Sequence, residues 1–192
     1  FFFFKDLHLT IPNSNILNII SILIITSIGF GSILGVMQSK LLRLLAYSGI
    51  PHAGIMLICV ITPLGISSDF LILYFAFYIF SNVGLFICLN SLPKVNEEFT
   101  INHLKGLYKD SPFIAISSAS FLLSLAGAPL FAGFWGKFNI ALISFKSFGL
   151  LFPILILVGA GISFYYYLKI IKVIFQDKIV NQTMIFSSNI IN

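Results

Sequence analysis

The chain has 192 residues, of which 58% are hydrophobic and only 9% charged, with a net charge of +5 and a mean hydropathy of +1.05. Soluble domains carry about 25% charged residues, so a soluble fold is excluded and an integral membrane protein is implied. Apolar runs of near-helical length exclude a transmembrane β-barrel, and lysines scattered over connections without a patch exclude a nucleic-acid partner.

The expected fold is all-α, a polytopic transmembrane helix bundle of about five spans with one broken helix. Residues 1–14 form a lead-in, 15–176 a single transmembrane domain and 177–192 a tail. Phe1 to Phe4 lack the basic stretch of a signal peptide. The chain does not begin with methionine, which an unusual start codon, processing or a fragment would each explain. The first span covers about 16–37, with Gly29, Gly31 and Gly35 offering a close-packing face. A basic loop with Lys40 and Arg43 follows. The second span, about 45–64, contains Tyr47, Ser48, Pro51 and His52. The third, about 70–92, contains Asn82, with Asp69 at its outer start. A long polar connection then leads to the fourth span, about 112–145, broken near 126–129. The last span covers about 150–175. Tyr165, Tyr166 and Tyr167 beside Lys169 and Lys172 read as an aromatic belt with basic anchors. Lys40, Arg43, Lys94, Lys105, Lys109, Lys169, Lys172 and Lys178 fall on one side and only Lys5 and Lys146 on the other. The positive-inside rule therefore puts the first loop, the long connection and the C-terminus in the cytoplasm or mitochondrial matrix.

The stretch Ser120 to Phe138 carries the chemistry. Ala126-Gly127-Ala128-Pro129 interrupts an apolar helix, because proline removes a donor and glycine supports helix poorly. Irregular backbone at membrane depth must be buried in protein or line a wet cavity. Lys137 follows, and a lysine at mid-membrane costs about 3 kcal/mol, so it faces a partner or a water path. The competing reading is a snorkelling lysine after an ordinary loop, since the apolar run Ile140 to Ile143 continues beyond it. His52 is either a satisfied core histidine or a proton relay. Pro51 frees a carbonyl beside it. Tyr47, Ser48 and Asn82 either extend a hydrogen-bonded chain or pack helices together. Cys59 and Cys88 read as small core residues. No span holds an acidic residue, and neither a redox centre nor a nucleotide loop is visible.

Four stretches also carry a resemblance. Lys40-Leu-Leu-Arg-Leu-Leu-Ala-Tyr-Ser-Gly-Ile-Pro-His52 resembles the K-R-L-L-A-Y-S-S-I-x-H segment of the subunit 2 family of respiratory NADH:ubiquinone oxidoreductase (complex I). Leu123 to Phe138 is similar to that family's L-S-L-A-G-x-P-x-x-x-G-F-x-x-K-F. Gly161 to Lys169 is similar to its G-x-x-Y-Y-Y-L-R, and Leu104 to Pro112 to its loop before the broken helix. The resemblance implies an antiporter-like, proton-pumping membrane subunit built from two inverted five-helix repeats, of which this chain looks like the second. It implies that Lys137 faces the outer proton half-channel and that His52 continues the central polar axis. A lysine at this place suits subunit 2, where subunit 4 would have glutamate. Gly49 and Pro51 replace the usual serines.

On this resemblance the chain itself binds no cofactor, because flavin, iron–sulfur clusters and ubiquinone belong to other subunits. Its partners are other membrane-arm subunits, membrane lipids and a chain supplying the missing first repeat, the expectation being a split or incomplete subunit. A Phe-, Ile- and Asn-rich composition suits an organellar genome, hence the mitochondrial inner membrane, with a bacterial plasma membrane as the alternative. The rival functions are a cation/proton antiporter subunit and a structural scaffold without pumping.

Overall fold

The computed structural model describes residues 14–62, 67–92 and 99–177. Residues 1–13 and 178–192, which hold most of the expected lead-in and tail, lie outside them, as do Lys5, Lys94 and Lys178 of the charge count. Lipid offers the backbone no hydrogen-bond partner, so apolar segments of this length fold as helices that satisfy their own amides and carbonyls. Among the described residues, four helices are long and apolar enough to cross a membrane, within α1 (Ser14–Val36), α2 (Leu41–Ile61), α3 (Ser67–Asn90) and α7 (Leu151–Phe175). Between α3 and α7 lie a 3-10 turn (Ile101–Leu104), the short α4 (Leu107–Asp110), α5 (Pro112–Ala126) and α6 (Ala132–Phe148).

At 15 residues, α5 is about 22 Å long, short of the roughly 30 Å hydrocarbon core. Both α5 and α6 pack against α3 and α7, so they run as two halves of one interrupted crossing between the same neighbours. The α1–α2 pair makes the most extensive helix contact, and α7 closes the bundle against α1, α5 and α6. Gly31 lets Pro51 and Ile50 approach, and Gly35 seats the Tyr166 ring. Gly29 has no neighbour where a Cβ would stand, so it takes no part in the expected packing face.

The expected basic loop from Gln38 to Leu44 is shorter. Helix α2 starts at Leu41, with Lys40 at its N-cap and Arg43 in its first turn. Leu41, Leu44 and Leu45 are buried, so the apolar face runs straight through the basic residues and the helix begins with it. Asp69 lies in the first turn of α3, where the helix dipole favours a carboxylate. The connection before α5 is more than a polar loop. Ile101, Leu104 and Leu107 are buried in the same apolar cluster as Leu41, Tyr166 and Ile174. Backbone bonds tie the connection to its neighbours: Leu41 N–H to the Phe99 carbonyl, Ile101 N–H to Ser39 and Gly106 N–H to Gln176. This segment therefore caps one end of the bundle. Lys40, Arg43, Lys105, Lys109, Lys169 and Lys172 belong to that end, while Lys146 closes α6 at the other.

Candidate functional site

The break between α5 and α6 builds the site. Gly127 adopts the left-handed conformation, φ +85°, which ends α5 without the steric penalty a side chain would bring. Its N–H and that of Ala128 turn back to the Ser124 and Leu123 carbonyls, a Schellman arrangement that satisfies two of the last helical acceptors. Leu125 and Ala126 are left over. The Lys137 ammonium supplies what they lack: Nζ donates to the Leu125 carbonyl at 2.8 Å and to the Ala126 carbonyl at 3.0 Å. A cation at a helix C-terminus is also favoured by the helix dipole. Gly133, one turn before Lys137, lies against the Ser124 carbonyl so closely that an added Cβ would collide with that oxygen. Lys137 is 6% exposed, so the lysine holds the broken helix end and does not snorkel to an interface. An apolar groove of about 300 Å³, walled by Phe134, Phe138, Pro153, Leu157 and Phe164, reaches it between the broken helix and α7.

His52 occupies the core at 3% exposure. Helix α2 runs unbroken through Pro51, which leaves the Tyr47 carbonyl without its helical donor. The imidazole Nδ1 is 2.7 Å from the Tyr74 hydroxyl, and the Tyr78 ring lies 4.8 Å away, centroid to centroid. His52 Nε2 is buried with no hydrogen-bond partner among the described residues. Tyr74 in turn packs on Gly136, the residue before Lys137, where a Cβ would stand 2.5 Å from Tyr74 Cδ2. One tyrosine thus touches both the histidine and the helix of the lysine.

The other sequence candidates fall in different places. Ser48 is buried, but its hydroxyl donates to the Leu45 carbonyl of its own helix at 2.6 Å. Tyr47 is only half-buried and makes no hydrogen bond to His52, Ser48 or Lys137. Asn82 bonds back to the Tyr78 carbonyl. Pro129 sits in the turn, where its missing N–H costs nothing. The tyrosine triplet is corrected: Tyr165 faces outward at 62% exposure, whereas Tyr166 and Tyr167 are fully buried. Successive helical residues are about 100° apart, so three in a row cannot share one face. Tyr166 donates to Ser163.

Sequence reasoning missed Tyr74, as well as Ser81, whose hydroxyl bonds Ser124 at 2.8 Å across α3 and α5. A lone tyrosine or serine in an apolar run gives no signal of its own. Cys59 and Cys88 are free thiols, and no cluster able to hold a metal ion occurs among the described residues.

Residues 1–163 match the family model described as NADH:quinone oxidoreductase/Mrp antiporter, TM. The chain belongs to this family. Among its antiporter-family relatives, NADH-quinone oxidoreductase subunit N of Paramagnetospirillum magneticum is 34% identical over 161 residues, covering 83% of this chain and 33% of that protein. Subunit N of Pelagibacter ubique is 38% identical over 161 residues, covering 83% and 34%. A chain in the structure of respiratory complex I from Thermus thermophilus with bound aureothin superposes with a TM-score of 0.74 at 29% identity, over 82% of this chain and 36% of that one. The chain therefore spans about a third of the length of the curated relatives it matches. As a member of the NADH:quinone oxidoreductase/Mrp antiporter family it is a multi-pass helical membrane protein, and its broken helix lies within the matched residues.

Proposed function

We propose that this chain is a proton-translocating module of the membrane arm of respiratory complex I, corresponding to part of subunit N, called subunit 2 in mitochondria. The observation that carries the reading is Lys137: an amine 94% buried, held on the two carbonyls left open by a helix break, its helix touching the tyrosine that bonds a buried histidine. Clasping the broken helix end would need only an uncharged donor, without the desolvation cost of a charge; a transferable proton gives the amine a further use.

Lys137 releases its proton when a positive charge approaches or the cavity dries, and regains it when that pressure is relieved. His52 passes the proton along the polar axis. The chain's own residues bind and move the proton; flavin, iron–sulfur clusters and quinone chemistry reside in other subunits of the assembly. The remaining length of the subunit, on this polypeptide or another, supplies the other half of the path. The capped, basic end of the bundle faces the matrix by the positive-inside rule, and the mitochondrial inner membrane is the location that fits the composition. The two subunit N relatives and the complex I chain favour this reading over a free-standing cation/proton antiporter.

Native separation of solubilised membranes with mass spectrometry of each band tests the assignment. Co-migration with flavin and iron–sulfur subunits is expected. Residence in a smaller assembly without redox subunits would transfer the chain to the antiporter branch of the family.

A further inference from the structure

A serine in an apolar helix commonly turns its hydroxyl back onto a carbonyl three or four residues earlier in its own chain. Ser48, Ser120, Ser144 and Ser163 all do so. Ser81 of α3 instead reaches across to another helix. It is 2% exposed, and its hydroxyl donates to Ser124 Oγ of α5 at 2.8 Å. Ser124 is the residue immediately before the two carbonyls that hold Lys137, and Gly133 of α6 lies against its own carbonyl.

This bond is the middle one of three contacts that α3 makes along the interrupted crossing. Gly84 seats the Phe121 ring one turn before Ser124, Ser81 bonds Ser124 itself, and Tyr74 rests on Gly136 beyond the break. Helix α3 thus lies along the break as a splint, touching α5 twice and α6 once. Ring contacts tolerate sliding, whereas a hydrogen bond weakens steeply with distance and angle, so the Ser81 bond is the contact that sets the position of the α5 end.

We propose that Ser81 is a positioning residue for Lys137: its bond to Ser124 fixes the end of α5 so that the Leu125 and Ala126 carbonyls both stand within reach of the ammonium. The inference rests on the proton-translocation reading above and adds a residue to it. Ser81 carries no proton; its hydroxyl sets a distance, and the charge stays on Lys137. Nζ meets the two carbonyls at 2.8 and 3.0 Å, and a displacement of about 0.5 Å at the helix end would carry both beyond the usual bonding range. Losing one ordinary hydrogen bond shifts the occupancy of the clasped geometry by roughly two- to tenfold.

Ser81→Ala removes the bond and leaves Ser124 free to turn its hydroxyl onto its own helix, so no buried group is orphaned. In the assembled complex this variant is expected to keep its abundance and its KM for quinone. Protons moved per electron should fall, by no more than in Lys137→Met. Ser81→Cys, of similar size but a weak donor, should match Ser81→Ala. Added to Lys137→Met, Ser81→Ala should cost no further coupling, because it acts through the lysine. Full coupling in Ser81→Ala or Ser81→Cys, or a further loss in the double variant, would overturn the proposal. So would a fall in abundance with normal protons per electron, which would make the bond structural only. Lys137→Met separates the two levels: lost coupling there with normal coupling in Ser81→Ala sinks the Ser81 role alone, and normal coupling in Lys137→Met sinks the function reading itself. Should Ser81→Ala fail to assemble, Ser124→Ala removes the same bond from the other side. Reduced protons per electron in it supports the proposal, and full coupling or a second failure to assemble contradicts it.

Discussion

Lys137 and the carbonyls of Leu125 and Ala126 form a mutual solution to two costs. A helix that stops inside a membrane leaves acceptors open, and an amine at that depth needs acceptors. Each contact is short, 2.8 and 3.0 Å, and each removes a penalty from both partners. The lysine and the Gly-Ala-Pro interruption were legible in the sequence because charge and proline are conspicuous in an apolar run. That the two touch was not, since Leu125 and Ala126 act through backbone oxygens that any residue would offer. Tyr74 and Ser81 were invisible for a related reason: a single hydroxyl on an apolar helix reads the same whether it bonds a histidine or its own helix. At this scale the sharpest steric demand is at Gly133. Gly133→Ala forces a methyl into the Ser124 carbonyl and should sharply reduce the amount of assembled complex, whereas Gly29→Ala, with open space around it, should leave it unchanged. Quantifying both variants on native gels checks this, and equal yields would remove the close-packing role of Gly133.

Among the elements, the broken crossing was foreseen at 126–129 and is observed between Ala126 and Ala132. The segment before it was read as polar loop and proved to be a cap. Its charged residues dominate the pattern, and the three apolar residues that matter, Ile101, Leu104 and Leu107, follow a spacing too short for any helical period to show. Their burial ties the start of α5 to the start of α2 and the end of α7. Leu104 is 1% exposed, and Leu104→Ala should destabilise the cap by about 2–5 kcal/mol. Faster cleavage of the 99–111 segment by protease in isolated membranes would report it, and an unchanged rate would argue that the cap is independent of the core. The Lys109–Asp177 ion pair beside it, 2.8 Å long but with both side chains mostly exposed, should contribute almost nothing when removed.

For the whole molecule, composition dictated a helical membrane bundle, and the residues quoted from four stretches pointed to an antiporter-like respiratory subunit. The match over residues 1–163 shows membership of the NADH:quinone oxidoreductase/Mrp antiporter family, and the two relatives described above are subunit N proteins of NADH-quinone oxidoreductases. Helix ends were the weakest part of the sequence reading. At Lys40 and Arg43, charge pointed to a loop while the apolar face of Leu41, Leu44 and Leu45 had already begun the helix. The tyrosine triplet failed likewise: proximity to Lys169 and Lys172 suggested an interface, but rotation along α7 turns Tyr166 and Tyr167 into the core. Within the bundle, His52 of α2 bonds Tyr74 of α3, whose ring rests on Gly136 beside Lys137 of the broken crossing.

The most direct test is the proton yield of the assembled complex carrying Lys137→Met, measured per electron passed from NADH to quinone in sealed vesicles. The account expects less assembled complex, because the Leu125 and Ala126 carbonyls lose their donor, and a clear drop in protons moved per electron by the complex that does assemble. A variant that assembles and pumps as the wild type would contradict it, leaving Lys137 as a clasp for the helix break and nothing more.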